Sequence, residues 1–294
     1  MTDVAFQYAW PAAPLRGSLH VYWEVTVGTG GPVKDLLLPY GATMRFPLAG
    51  RWWHGESPAK LHKIDGQALF HGLTDEARWI GGSGGKAFCI VLFPLFWSAL
   101  PDARAADYAN KVCPLSELIG ARADDLHQHL KDAASFEERC ARADRWFSDW
   151  LCALPPDPRN AHVAGLMAAL NDPDVNSVAM LCARLDLPQA RLARLALRFF
   201  GFPAKTLLRR ERFLRMLFTM ERRPYVEWPD FIDAQYVDQS HLIRDFKDFT
   251  GMAPGQYFDL ERPILSVAAE AIRKFLAGEA GPATHAVRRI NDDE

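Results

Sequence analysis

Two runs in the last third of the chain carry side chains whose types and spacing suit the reading of a nucleic acid. Gln189, Arg191, Arg194 and Arg198 share one face of a helical pattern, opposite Leu192 and Leu195. Fifty residues on, Gln239, Ser240, His241, Arg244 and Lys247 repeat the arrangement opposite Leu242 and Phe246. Arginine pairs bidentately with guanine and glutamine with adenine, while a lysine meets phosphate as a point charge. Arg209, in the stretch that follows the first run, is a further candidate for phosphate contact. Within 184–215 nine basic residues face only Asp186 and Glu211, a local basic stripe of the kind that binds phosphates. Either run alone reads equally well as the solvated face of a helical bundle; their duplication favours DNA.

Residues 189–201 can be laid over 239–251 without a gap, and Gln, Leu, Arg, Phe and Gly coincide at five of the thirteen positions. Each copy ends on a glycine (Gly201, Gly251), where a helix C-terminus favours a left-handed residue, and a proline follows shortly (Pro203, Pro254). Before the first copy, Ser177 is a suitable N-cap for a helix over 178–185, and Asp186-Leu187 makes a short turn. Helix, turn, second helix is the helix-turn-helix plan, in which the second helix enters the major groove.

Other chemistry is missing from the sequence. There is no GxSxG, Walker loop or GxGxxG, and Gly81–Gly85 reads as a flexible turn. His54, His62 and His71 are spread through the first half, and His127-Gln-His129 falls in a helical pattern where i and i+2 do not share a face. Five widely spaced cysteines with no CxxC pair read as buried thiols of a cytoplasmic chain. Neither an enzyme nor a cofactor is expected.

The elements that must position these residues fall into blocks. Residues 18–100 are β-rich: short apolar runs between Gly/Pro punctuation, with Val21, Trp23, Val25 and Val27 alternating against polar neighbours, predict a barrel or sandwich. Helical spacing starts near Pro114 and gives a helix pair joined near 133–135, which Pro155-Pro156-Asp157-Pro158 terminates. The expected fold is α+β, with a sensor-like β domain at 1–113, a helical connector and linker at 114–158, and a double helix-turn-helix domain at 159–262. A last helix and a mobile tail fill 263–294. Net charge is −2 overall, and the first 158 residues hold 15 basic and 18 acidic side chains, so the positive charge is local. No apolar run reaches the roughly 18–20 residues of a membrane span, so no membrane partner is expected.

At 236–257 the chain resembles the AraC/XylS family of transcription regulators. Tyr236-Val-Asp238-Gln239-Ser240-His241-Leu242 through Phe249-Thr-Gly251 to Pro254 and Tyr257 follows that family's second helix-turn-helix motif, and 205–214 resembles its connecting helix. Ala196 stands where the family usually has Phe, Pro188 where a capping Ser is common, and Gln235 where a turn glycine is usual. More weakly, Leu38-Pro39-Tyr40-Gly41, Phe88–Pro94 and Val112–Gly120 resemble a sensor region found in part of the family. The resemblance implies a regulator that binds double-stranded DNA, with a small-molecule effector in the first half and a homodimer as further expectations. The aromatics of that half read as barrel core or as the lining of a ligand cavity, with Trp23, Tyr40, Arg45, Trp53, His54 and His71 as candidate contacts for an uncharged or aromatic effector. The alternative is a small-molecule-binding protein or enzyme whose helical bundle only resembles the family.

Overall fold

The computed structural model describes residues 2–39, 41–222, 236, 239–276 and 284–290. Among the described residues, nine strands form one antiparallel sheet: β1 (Thr2–Ala9), β2 (Leu19–Val27), β3 (Val33–Leu37), β4 (Thr43–Ser57), β5 (Lys60–Ile64), β6 (Leu69–His71), β7 (Arg78–Leu92), β8 (Val112–Pro114) and β9 (Thr284–Ile290). The order is β8-β6-β4-β7-β2-β1-β9, with β3 beside β7 and β5 beside β4. The first half is thus an open sheet, not a closed barrel.

Its curvature comes from the two longest strands. β4 and β7 run fifteen residues each. Their pairing shifts twice between Pro47 and Arg51. Gly50 sits here at φ +77° and Gly84 at φ +55°, and a Cβ on Gly50 would overlap the Gly85 backbone. Gly81–Gly85, expected to be a turn, instead lies inside β7. There the missing side chains make room: a Cβ on Gly82 would meet the Trp52 ring at 2.6 Å. Val25, Ala87 and Val91 from one half of the sheet and Val33, Ile64 and Ile80 from the other join a single apolar cluster. The sheet therefore curls around this face.

The opposite face is covered by helices α1 (Ser116–Ile119), α2 (Arg122–Lys131) and α3 (Phe136–Leu151). Ser135 caps α3 by accepting from the Glu138 N–H at 3.1 Å, which places the helix break where the sequence predicts it. Because both faces are covered, the alternation in β2 does not separate core from solvent. Tyr22 and Glu24 are as buried as Val21 and Val25. Glu24 meets Arg139 of α3 through two hydrogen bonds, at 2.6 and 3.1 Å.

Helices α4 (Asn160–Asn171), α5 (Val178–Leu185), α6 (Gln189–Phe200), α7 (Ala204–Arg222), α8 (Gln239–Thr250), α9 (Pro254–Asp259) and α10 (Pro263–Leu276) follow. One continuous core links Phe46 and Phe88 of the sheet, Phe136 and Phe147 of α3, and Leu181, Leu192 and Phe199 of the α5–α6 unit. The last described elements pack onto the sheet. Ile264, Val267 and Ala271 of α10 join the cluster on the curled face, and β9 pairs with β1 from Thr284 to Ile290. The mobile tail expected from sequence is corrected to that extent: its strand completes a sheet edge provided by residues almost the whole chain away.

Asp35 of β3, 1% exposed, anchors α10 by accepting the Ile264 and Leu265 N–H groups at 2.5 and 2.8 Å, where the helix dipole favours an anion. Burial nonetheless raises its pKa from the ordinary 3.8 to about 6. The folded protein therefore binds a proton between those values that the unfolded chain releases. Stability from this group is fully present below about pH 4 and lost as pH rises through about 6. Denaturant unfolding of the wild type and Asp35→Asn should differ by an amount that changes by about 3 kcal/mol between pH 4 and 7. A difference independent of pH would contradict this.

Candidate nucleic-acid interface

The first unit is built by local capping and a short turn. Ser177 accepts the Met180 N–H at 3.2 Å and starts α5. Asp186, left-handed at φ 49°, ends it, and the Leu187 N–H closes back on the Cys182 carbonyl at 3.1 Å. Leu181, Leu187, Leu192 and Leu195 are buried between α5 and α6 and set their angle. Gln189, Arg191 and Arg194 stand exposed on the outer face of α6.

The internal repeat is visible in the backbone. α6 and α8 both span twelve residues, begin at Gln189 and Gln239, and end on Gly201 and Gly251, each at φ +77°. α7 and α9 begin three residues after each glycine. On α8, Ser240, Arg244 and Lys247 are exposed. Among the described residues, Arg191, Arg194, Arg244 and Lys247 take no protein partner. The helix expected before α8, including Gln235, lies outside the described residues, and so does the side chain of Gln239.

Two candidate arginines are held by the protein itself. Arg198 donates through Nη2 to the carbonyls of Trp97, Leu100 and Pro101 at 3.2, 2.8 and 3.2 Å, so the last turn of α6 is fastened to the first half of the chain. Arg209 lies over the Phe249 ring and ion-pairs with Asp245 and Asp248, tying α7 to α8. His241 sits beside Arg212, whose Nη2 is 3.3 Å from its Nε2. The residue missed in the sequence is Asp245. It is 0% exposed and accepts from Arg209 at 2.8 Å, Arg212 at 3.0 Å and Tyr236 at 3.1 Å. An aspartate on a helix surface carries no signal that three donors converge on it.

Between the two units a cleft of about 440 Å³ is lined by Asn176 and Ser177 at the start of α5 and by Lys205, Arg209, Arg212, Arg215 and His241. Lys205 has no protein partner among the described residues.

No protein-family profile matches the chain, and no curated protein does. Solved structures do superpose on it. ToxT from Vibrio cholerae O395 shows 11% identity over 87% of this chain and 96% of that one, with a TM-score of 0.43. Unsaturated fatty acid bound wild-type ToxT from strain SCE256 shows 13% identity over 87% and 94%, at 0.40. The AraC-like transcriptional activator CuxR shows 16% identity over 67% and 78%, at 0.29.

The candidate effector contacts separate into two groups. The Arg45 guanidinium lies 5.7 Å from the Trp23 ring centroid, and the His54 and His71 rings are 5.7 Å apart. Trp53 is excluded from this group by strand alternation, which turns Trp52 and His54 to the curled face and Trp53 away. Trp52 is packed into that core, with Trp23 partly buried against it. Tyr40 lies outside the described residues. No group of three or more His, Cys, Asp or Glu among the described residues could hold a metal ion, and no described helix is long and apolar enough to cross a membrane.

Proposed function

We propose that the chain is a DNA-binding transcription regulator that reads two successive major-groove segments with α6 and α8. One observation carries this: two helices of equal length, fifty residues apart, with the same glycine cap, each presenting arginine or lysine side chains that have no partner among the described residues. Gln189, Arg191 and Arg194 are assigned to the first segment. Gln239, Ser240, Arg244 and Lys247 are assigned to the second, with His241 at the edge of the cleft. Arg198 and Arg209 are left out because Arg198 is held against the carbonyls of Trp97, Leu100 and Pro101, and Arg209 against Asp245 and Asp248. The AraC/XylS-like motif at 236–257 points the same way. The curled sheet is assigned to an effector, since its core is continuous with α6 and its inner face with α10.

Binding to duplex DNA should weaken steeply with salt, because each phosphate contact releases condensed counterions. Arg194→Ala and Arg244→Ala should each cost about 1–3 kcal/mol, concentrated on particular base pairs, within a footprint whose two segments lie about 10 bp apart. Gel shifts and footprinting check both; affinity flat in salt, or a footprint on one groove segment, refutes the reading.

A further inference from the structure

We propose that the curled face of the sheet binds a small organic carboxylate, received side-on by the guanidinium of Arg45. Arg45 lies in mid-sheet, in a row that runs across the strands from Trp23 through Cys89 to Leu69. It is 2% exposed, and among the described residues neither Nε nor Nη2 finds a hydrogen-bond partner. The other arginines buried to this degree are answered by acids: Arg139 by Glu24 and Arg210 by Glu211. For Arg45 the neighbours are the Cys89 thiol, with which it shares a side-chain hydrogen bond, the Trp23 ring, and the His54 and His71 imidazoles, none of them an acid. Arginine cannot shed its proton to escape burial, so a guanidinium held there without a counter-charge is unfavourable until an anion arrives.

The chemistry of the anion follows from what surrounds it. Nε and Nη2 form one edge of the guanidinium, and that edge matches the two oxygens of a planar carboxylate. His71 supplies a second unpaired group. It pairs with Thr43, two residues from Arg45 on the same face of β4, is 5% exposed, and its Nε2 has no partner. Burial, then the Arg45 charge, holds His71 well below the ordinary imidazole range and therefore neutral. One fixed positive charge with a neutral imidazole suits a monoanion better than a phosphate of greater charge. Trp23, Leu69 and Val91 offer apolar surface to the rest of the molecule. The half-buried His54 stands 5.7 Å from His71 and 6.0 Å from the exposed His62, so imidazoles lead from the surface towards the guanidinium. Such a ligand differs in charge from the uncharged or aromatic effector expected from sequence.

Ile264 and Val267 of α10 belong to the same apolar cluster, and α10 follows directly on α9. An effect of the carboxylate on DNA rests on the proposed function; binding itself does not. The test uses the full chain and three probes, sodium acetate, benzoate and octanoate, with benzamide as the neutral counterpart of benzoate. Tryptophan fluorescence should saturate with at least one acid. Benzoate should bind at least tenfold more tightly than benzamide, and Arg45→Gln should abolish that preference. Arg45→Lys, which keeps the charge but not the fork, should weaken the acids by about tenfold. Without ligand, Arg45→Met should melt no lower than wild type, whereas a guanidinium held for the fold would lower the melting temperature. No response to any acid, equal binding of benzoate and benzamide, or an Arg45→Gln variant that keeps the preference overturns the proposal. DNA binding is measured in parallel. Lost carboxylate preference with normal duplex binding sinks only this inference, while carboxylate binding without salt-dependent duplex binding sinks only the DNA reading.

Discussion

Glu24→Ala is expected to destabilise the protein by about 3–5 kcal/mol, measured by urea unfolding. Both carboxylate oxygens of Glu24, 1% exposed, are engaged by Arg139, 5% exposed, and Arg139 also donates to the Ala133 carbonyl at 2.8 Å. Lys86, at 3.4 Å, is the second cation on the same acid. Removing the acid leaves the Arg139 guanidinium dry and unanswered between β2 and α3. Replacing the pair together, Glu24→Leu with Arg139→Met, should cost much less than the sum of the single changes, because no orphaned charge remains. Single variants within 1 kcal/mol of wild type, or a double variant that costs the full sum, would show that the pair is not what joins sheet to connector.

Asp245→Ala should have the second large effect, and a local one. The loss of this carboxylate leaves Arg209, Arg212 and Tyr236 without their shared acceptor, for about 3 kcal/mol. The damage falls where α7 meets α8. Amide hydrogen exchange should accelerate along 239–250 and stay unchanged along 189–200. Under the proposed function, the footprint should shrink to the segment read by α6, although Asp245 itself faces no DNA. Uniform acceleration across both helices, or none, would mean that Asp245 does not hold the second unit in place.

The features that were legible in the sequence are those that short-range physics decides. The repeat at an offset of fifty, the turn at Asp186-Leu187, the helix break near 133–135, the Ser177 cap and the glycine ends of α6 and α8 each depend on a few neighbouring residues. Hydrogen-bond caps and φ preferences act over one helical turn, so the residues themselves announce them. The curvature of the sheet was not legible: Gly81–Gly85 looks like a turn until Trp52 is seen filling the space beside Gly82.

The employment of the charged residues belongs to the tertiary structure. Arg194 and Arg198 are one turn apart on the same helix and identical in type, yet Arg194 faces outward while Arg198 is held by carbonyls about a hundred residues earlier in the chain. Asp35 anchors a helix 229 residues away. Arg45 is singled out because no acid among the described residues answers it, which only the packed sheet could decide. A charge acts according to what lies within a few ångströms of it, and in this chain those neighbours come from strands and helices that sequence separation keeps apart and folding alone brings together.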